Sequence, residues 1–286
     1  MLATAMLIVT AALTAHAATV KAVAATKVLV VIEENHSLSQ MRRGMPYLYA
    51  QAKKYGYATG YTAVSHPSLP NYLAIVSGDT FGVADDGSPA VHPTPAPSAF
   101  GAARAAGMTA RSYQESMPSG CSSRILKPYV VKHNPWAYVP AERAACRVGA
   151  VPAGTTTAGA LHDDVVAGTL PTVGEVTPNL NHDAHDGTLA AADTWLQAWL
   201  GLIYASPDWQ AGRLVVVVTA DEASGASATN SVLTVVLHPS QQAHVVTTPL
   251  THYSLNRLLT DVAHAPCLRK GCSAASLSEA FGVPLG

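Results

Sequence analysis

The sequence has little charge. Only 12% of its 286 residues are Asp, Glu, Lys or Arg, and 17 basic side chains stand against 18 acidic ones for a formal net charge of -1. Without a basic excess there is nothing to neutralise a polyanion backbone, so charge-driven nucleic-acid binding is excluded. The chain is also too apolar for disorder, since 49% of it is hydrophobic and disordered chains lack the apolar surface to bury. No internal repeat and no domain boundary can be read in it. Cysteine is scarce: Cys121, Cys146, Cys267 and Cys272 are the whole set. Their spacings do not suit a zinc ribbon, and an even number suits an oxidising compartment. Three pairings are possible, and Cys121–Cys146 with Cys267–Cys272 is the expected one.

Residues 2–15, LATAMLIVTAALTA, form an apolar run that ends near the small-x-small triplet Ala15-His16-Ala17. That is signal-peptide grammar without the usual basic start, and the run falls short of the roughly 20 residues that span a bilayer. Residues 1–17 are therefore expected to be a signal peptide, the protein to be secreted with no stable membrane anchor, and residues 27–286 to form a single domain. That length buries about three quarters of its unfolded surface.

Lys27–Ile32 and Arg213–Thr219 are β-branched apolar runs of the kind buried on both sheet faces. Further strands are expected at 109–113, 171–177 and 231–237. Helical spacing marks Pro46–Tyr57, Ser68–Val76 (broken by Gly78), 99–106, 188–204 and 254–262. Residues 85–98, DDGSPAVHPTPAPS, read as a surface excursion. Strands alternating with helices predict an α/β fold, a three-layer α/β/α sandwich with a mostly parallel central sheet and its site at the strand ends.

The few acids and histidines fall where such a site would lie. Glu34 and Asn35 follow the first strand, His182, Asp183, His185 and Asp186 follow 171–177, and Asp221 and Glu222 follow 213–219. A lone acid after a strand is commonly a helix cap; three converging clusters suit a divalent cation, with His185 and His252 as possible imidazole donors. Ser68 opens a helix, where an anion is favoured and a seryl alkoxide stabilised, or where it is an ordinary cap. Asn71 either meets a phosphoryl oxygen or completes the turn.

The motifs EENHS at 33–37, HPSLPNYLAIVSG at 66–78, KHNPW at 132–136, HDAHDG at 182–187, TADEASG at 219–225 and THYSLNRLL at 251–259 stand in one order. Over residues 27–284 the sequence resembles the phosphoesterase family of bacterial acid phosphatases and phospholipases C, in particular its small secreted acid phosphatases. The resemblance implies an alkaline-phosphatase-like fold and hydrolysis of small-molecule or phospholipid phosphate esters. By matching position it implies Glu34, Asn35, Asp221 and Glu222 as metal ligands, Ser68 as nucleophile, and His66, His133 and His185 around the phosphate. Lys132, Asp183 and His252 join the expected substrate-binding set with His66 and Asn71, and His133 or His185 protonates the leaving group. The cation is open among Mg, Ca, Mn, Fe and Zn, and oligomeric state is open as well.

Two departures from the family pattern stand out. Ala220-Asp221-Glu222-Ala223-Ser224-Gly225 replaces an aromatic and two acids found in relatives, and His182 precedes Asp183. The absence of a G-x-S-x-G elbow around Ser68 argues against a serine esterase. With no long aromatic lipid-binding extension, a monoesterase is expected over a phospholipase C-like diesterase or a non-catalytic binding module.

Overall fold

The computed structural model describes residues 23–223 and 229–286. The proposed signal segment, and Ser224 and Gly225 of the TADEASG motif, lie outside the described residues.

The strands in chain order are β1 (Lys27–Glu33), β2 (Gly56–Ala58), β3 (Tyr61–Thr62), β4 (Ala110–Gln114), β5 (Ala150–Pro152), β6 (Val173–Thr177), β7 (Leu214–Ala220), β8 (Thr234–Leu237), β9 (His244–Val246) and β10 (Leu250–Thr251). Eight of them form the main sheet in the order β5-β4-β6-β1-β7-β8-β2-β9, while β3 and β10 pair apart. All neighbours in the main sheet are parallel except at β8, which runs against both β7 and β2. β1 lies between β6 and β7, with Val30 level with Glu175 on one side and Val217 on the other. Apart from Lys27, every residue of β1 is buried, and so is all of β7. Two covered faces explain why these strands read as unbroken apolar runs.

Helices cover both faces. The main ones are α1 (Leu38–Gly44), α2 (Pro46–Lys54), α3 (Ser68–Ser77), α4 (Ala99–Ala105), α5 (Arg143–Gly149), α6 (Ala160–Ala167), α7 (Leu189–Ala205), α8 (Pro207–Gln210), α9 (His252–Val262) and α10 (Leu277–Phe281). α1, α2, α6 and α8 pack with α7; α3, α4 and α10 pack with α9. α3 is buried throughout and stops at Gly78, whose φ of 70° is left-handed. A Cβ there would lie 2.5 Å from the Leu268 carbonyl oxygen, so glycine serves both the turn and the close approach.

The expected helix over 46–57 stops at Lys54, and Gly56–Ala58 is strand β2 instead. Its partners are Thr234–Val235 of β8 and the 244–246 edge, which no local pattern announces. α1 was not anticipated; Ser37 caps it reciprocally with Gln40. Both expected disulfides are present, Cys121–Cys146 and Cys267–Cys272.

Candidate active site

Loops leaving the carboxyl ends of β1, β6 and β7 meet the amino end of α3. β1 delivers Glu34, which is fully buried. Glu34 Oε1 accepts from Tyr72 Oη at 2.7 Å and lies 3.2 Å from His133 Nε2. Glu34 Oε2 accepts from Lys132 Nζ at 3.1 Å and from Ser68 Oγ and Asn35 Nδ2 at 3.3 Å. Burial alone would raise this carboxyl, but the Lys132 ammonium, His133 and the Tyr72 hydroxyl together hold it well below the usual range.

Lys132 is the hub. Its ammonium donates to Ser68 Oγ at 2.8 Å as well as to Glu34, and Asp86 lies 3.7 Å away. Burial opposes its charge, yet Glu34, Asp221 and Asp86 outweigh that and raise its pKa, so it stays protonated. Ser68 itself, the first residue of α3, also lies 3.4 Å from Glu222 Oε1. The Leu69 amide at the same helix end donates to Asp86 Oδ1 at 2.8 Å. An anion thus already sits where a helix amino end favours one.

The acid loop after β7 is tied in by backbone. Asp221 Oδ1 accepts from the amides of Asn35 (2.9 Å) and Glu222 (2.7 Å). Asn35 adopts a left-handed φ of 55° there. Burial, then the Glu34 charge, push the Asp221 carboxyl well above its ordinary value. Burial also raises Glu222, opposed by its contact with His66 Nδ1. The amide of Ala223 is held by Asn230 Oδ1 at 2.8 Å, and Asn230 Nδ2 ties the turn to the Ser65 carbonyl.

Asp183, after β6, is buried and raised by burial and by Glu34; its Oδ2 stands 3.5 Å from His133 Nε2. Burial lowers the His133 pKa, against the pull of Glu34. His185 is exposed, and its Nδ1 is held 2.8 Å from Asp186 Oδ1.

Of the expected residues, Glu34, Asn35, Ser68, Lys132, His133, Asp183, Asp221, Glu222 and His66 are thus brought together, with His185 at the rim. Two stand behind the cluster. Asn71 spends all its polar capacity on the turn, accepting from the amides of Val64 and Ser65 and donating to the carbonyls of Ser65 and Pro67. His252 has Nε2 2.6 Å from the Asp221 carbonyl and Nδ1 3.0 Å from Tyr61 Oη. Burial lowers its pKa to about 4, so it supports the acid loop as a neutral ring. His182 faces Glu115 and stacks on Trp195, away from the cluster. Tyr72 and Asp86 were not singled out in the sequence. Tyr72 follows Ser68 by four residues, on the same helix face; Asp86 had no local signal inside its Pro-rich loop.

Among the described residues, no three His, Cys, Asp or Glu side chains form a ready-made ligand group. The donors nonetheless fit a hard cation. Asp221 Oδ2 and Asp183 Oδ2 are buried without a hydrogen-bond partner, and Glu34, Asp221 and Glu222 all share the field of the one Lys132 ammonium.

A relative from Mycobacterium tuberculosis, named phosphatidylinositol-3-phosphatase, is 28% identical over 261 residues, covering 89% of this chain and 82% of its own. The phosphate-repressible acid phosphatase of Penicillium chrysogenum is 30% identical over 208 residues, 69% of this chain but only 49% of that one. A Vibrio parahaemolyticus protein of the alkaline phosphatase superfamily superposes with a TM-score of 0.60 at 9% identity, covering 91% of this chain and 72% of that one. At that identity the likeness speaks for the fold alone, and it is the fold expected from the sequence. A model of the phosphoesterase family matches residues 35–261. The chain belongs to the phosphoesterase family and is a phosphoric ester hydrolase.

Proposed function

We propose that the protein is a secreted, metal-dependent acid phosphatase whose single domain, residues 27–286, hydrolyses phosphate monoesters through a phosphoseryl intermediate on Ser68. The observation that carries this reading is Ser68 Oγ at the amino end of α3, 2.8 Å from the Lys132 ammonium and within 3.4 Å of carboxylates on both sides. Acyl-transfer chemistry would call for a histidine base on the serine; here the partners are an ammonium, which suits an anionic substrate, and carboxylates, which suit a cation beside it.

Ser68 Oγ attacks phosphorus in line while its proton passes to Glu222 Oε1, the carboxylate oxygen within reach that Lys132 does not already hold ionised. Lys132 stabilises the forming alkoxide and neighbouring phosphoryl charge. His133 is buried with its Nε2 against Glu34, so the exposed His185, oriented by Asp186, is the group that protonates the departing alkoxide. Glu34, Asn35, Asp221 and Glu222 would hold the divalent cation, which when bound supplies positive charge at the phosphoryl oxygens and at the attacking hydroxyl. Water then releases phosphate from the seryl ester.

A chromogenic phosphomonoester and the matching diester, each assayed with and without chelator, test the reading. Chelator-sensitive turnover of the monoester, loss of turnover in Ser68→Ala, and an acid-quenched phosphoprotein in the parent alone are expected. Turnover of the diester alone, or Ser68→Ala with parental activity, would overturn it.

A further inference from the structure

We propose that the turn around Arg124–Lys127 lies against an anionic phospholipid surface, with Ile125 and Leu126 entering the boundary between headgroups and acyl chains and Arg124 and Lys127 meeting lipid phosphates. Ile125 is 63% exposed and its neighbour Leu126 58%, whereas the other exposed large apolar residues among those described are valines, no two of them adjacent in the chain. Lone exposed valines need no explanation; two adjacent aliphatic side chains bracketed by two cations do.

The turn is built to hold them out. Leu126 and Tyr129 exchange backbone hydrogen bonds of 3.1 and 3.0 Å. Tyr129 Oη donates to the Ser122 carbonyl at 2.8 Å, and the Cys121–Cys146 disulfide anchors the base. Such pre-ordering lowers the entropy lost on docking. The turn also belongs to the active-site end of the molecule. Its chain runs on into Val131–His133, the Leu180 amide donates to the Pro128 carbonyl at 3.1 Å, and Lys127 Nζ lies 3.4 Å from Asp186, the partner of His185.

The chemistry favours a bilayer over a protein partner. Stable protein interfaces bury about 1,200–2,000 Å² around aromatic or arginine anchors, far more than two aliphatic side chains offer. Shallow aliphatic insertion with flanking cations is how a peripheral protein meets an anionic leaflet. No helix among the described residues is long and apolar enough to cross a membrane, and a turn that offers two aliphatic side chains makes a peripheral contact.

The test uses the full chain and vesicles of phosphatidylcholine with or without phosphatidylserine. Ile125→Trp places a reporter at the tip; its added emission is expected to shift blue and to be quenched by brominated phosphatidylcholine in the anionic vesicles. The apolar amino-terminal run is common to every variant, so this local quench is the deciding measurement. Arg124→Ser is expected to weaken partition into the anionic vesicles by about 5-fold at low salt and to leave turnover of a soluble monoester unchanged. Tip emission that stays unquenched and water-like overturns the proposal. So does a parent that sediments as a dimer while Ile125→Ser/Leu126→Ser is monomeric, which would assign the pair to a second copy. Binding is read without turnover, so failure of the phosphatase reading leaves this one standing.

Discussion

Lys132→Met removes the ammonium from the middle of the cluster while keeping its volume. Lys132 and Glu34 are 3.1 Å apart, with side-chain exposures of 9% and 0%. Breaking a buried pair by deleting one partner costs about 3–5 kcal/mol, because the other charge is left without compensation. For a domain of this size each 1 kcal/mol shifts the melting temperature by about 2–4 °C, so a loss on the order of 10 °C at neutral pH follows. The pH dependence identifies the cause. In the parent, the depressed Glu34 pKa gives stability that is present above its unfolded value of 4.5 and lost as pH falls through the folded value. The raised Lys132 pKa gives stability that is present below 10.5 and lost as pH rises past it. The pair therefore contributes between those limits. In the variant, burial acts on Glu34 without its main opponent, its pKa rises, and protonation relieves the cost as the solution is acidified. Urea unfolding of parent and variant should differ most near neutrality and converge toward pH 4. A gap under about 1 kcal/mol at neutrality, or a gap unchanged on acidification, would refute the assignment of Lys132 as the counter-charge of Glu34.

Asp86→Asn removes a carboxylate that competes with substrate for the Leu69 amide and repels it near Lys132; inhibition by inorganic phosphate should tighten by about 5-fold, measured as Ki. His185→Ala should slow hydrolysis of an alkyl phosphate by about 100-fold or more yet spare a nitrophenyl phosphate, whose leaving group needs no proton. Glu175 is raised to about 8 by burial, against bonds from Ser112 and Thr177. A raised carboxyl stabilises most below its unfolded value and costs stability as pH climbs through 8. Glu175→Gln should therefore match the parent in acid and exceed it by a few kcal/mol at alkaline pH, read from denaturant midpoints.

What was legible in the sequence was what local physics controls. β1 and β7 are buried on both faces, so their composition announces them, and the loops behind them had to be polar because they leave the core. In a chain with so little charge, Glu34, Asp221 and Asp183 stood out, and a parallel sheet brings such loops together whatever their separation in sequence. The unread parts depend on partners far along the chain. Residues 53–57 carry no strand signal of their own; Gly56–Ala58 becomes β2 because β8 and β9, more than 170 residues away, offer free edges. Asp86 lies in a loop whose composition says only surface, and it acquires a role because that loop closes onto α3. Of the two roles the sequence leaves open for Asn71 it takes the turn, and His252, expected among the substrate-binding residues, occupies its ring nitrogens on a backbone carbonyl and a buried tyrosine just behind the site. A motif marks which residues a site requires, whether they touch the ligand or fix the loop that does. Only the hydrogen-bond inventory separates the two: Ser68 and Lys132 share their polar atoms with a charged cluster open to an anion, whereas Asn71 has none left to give.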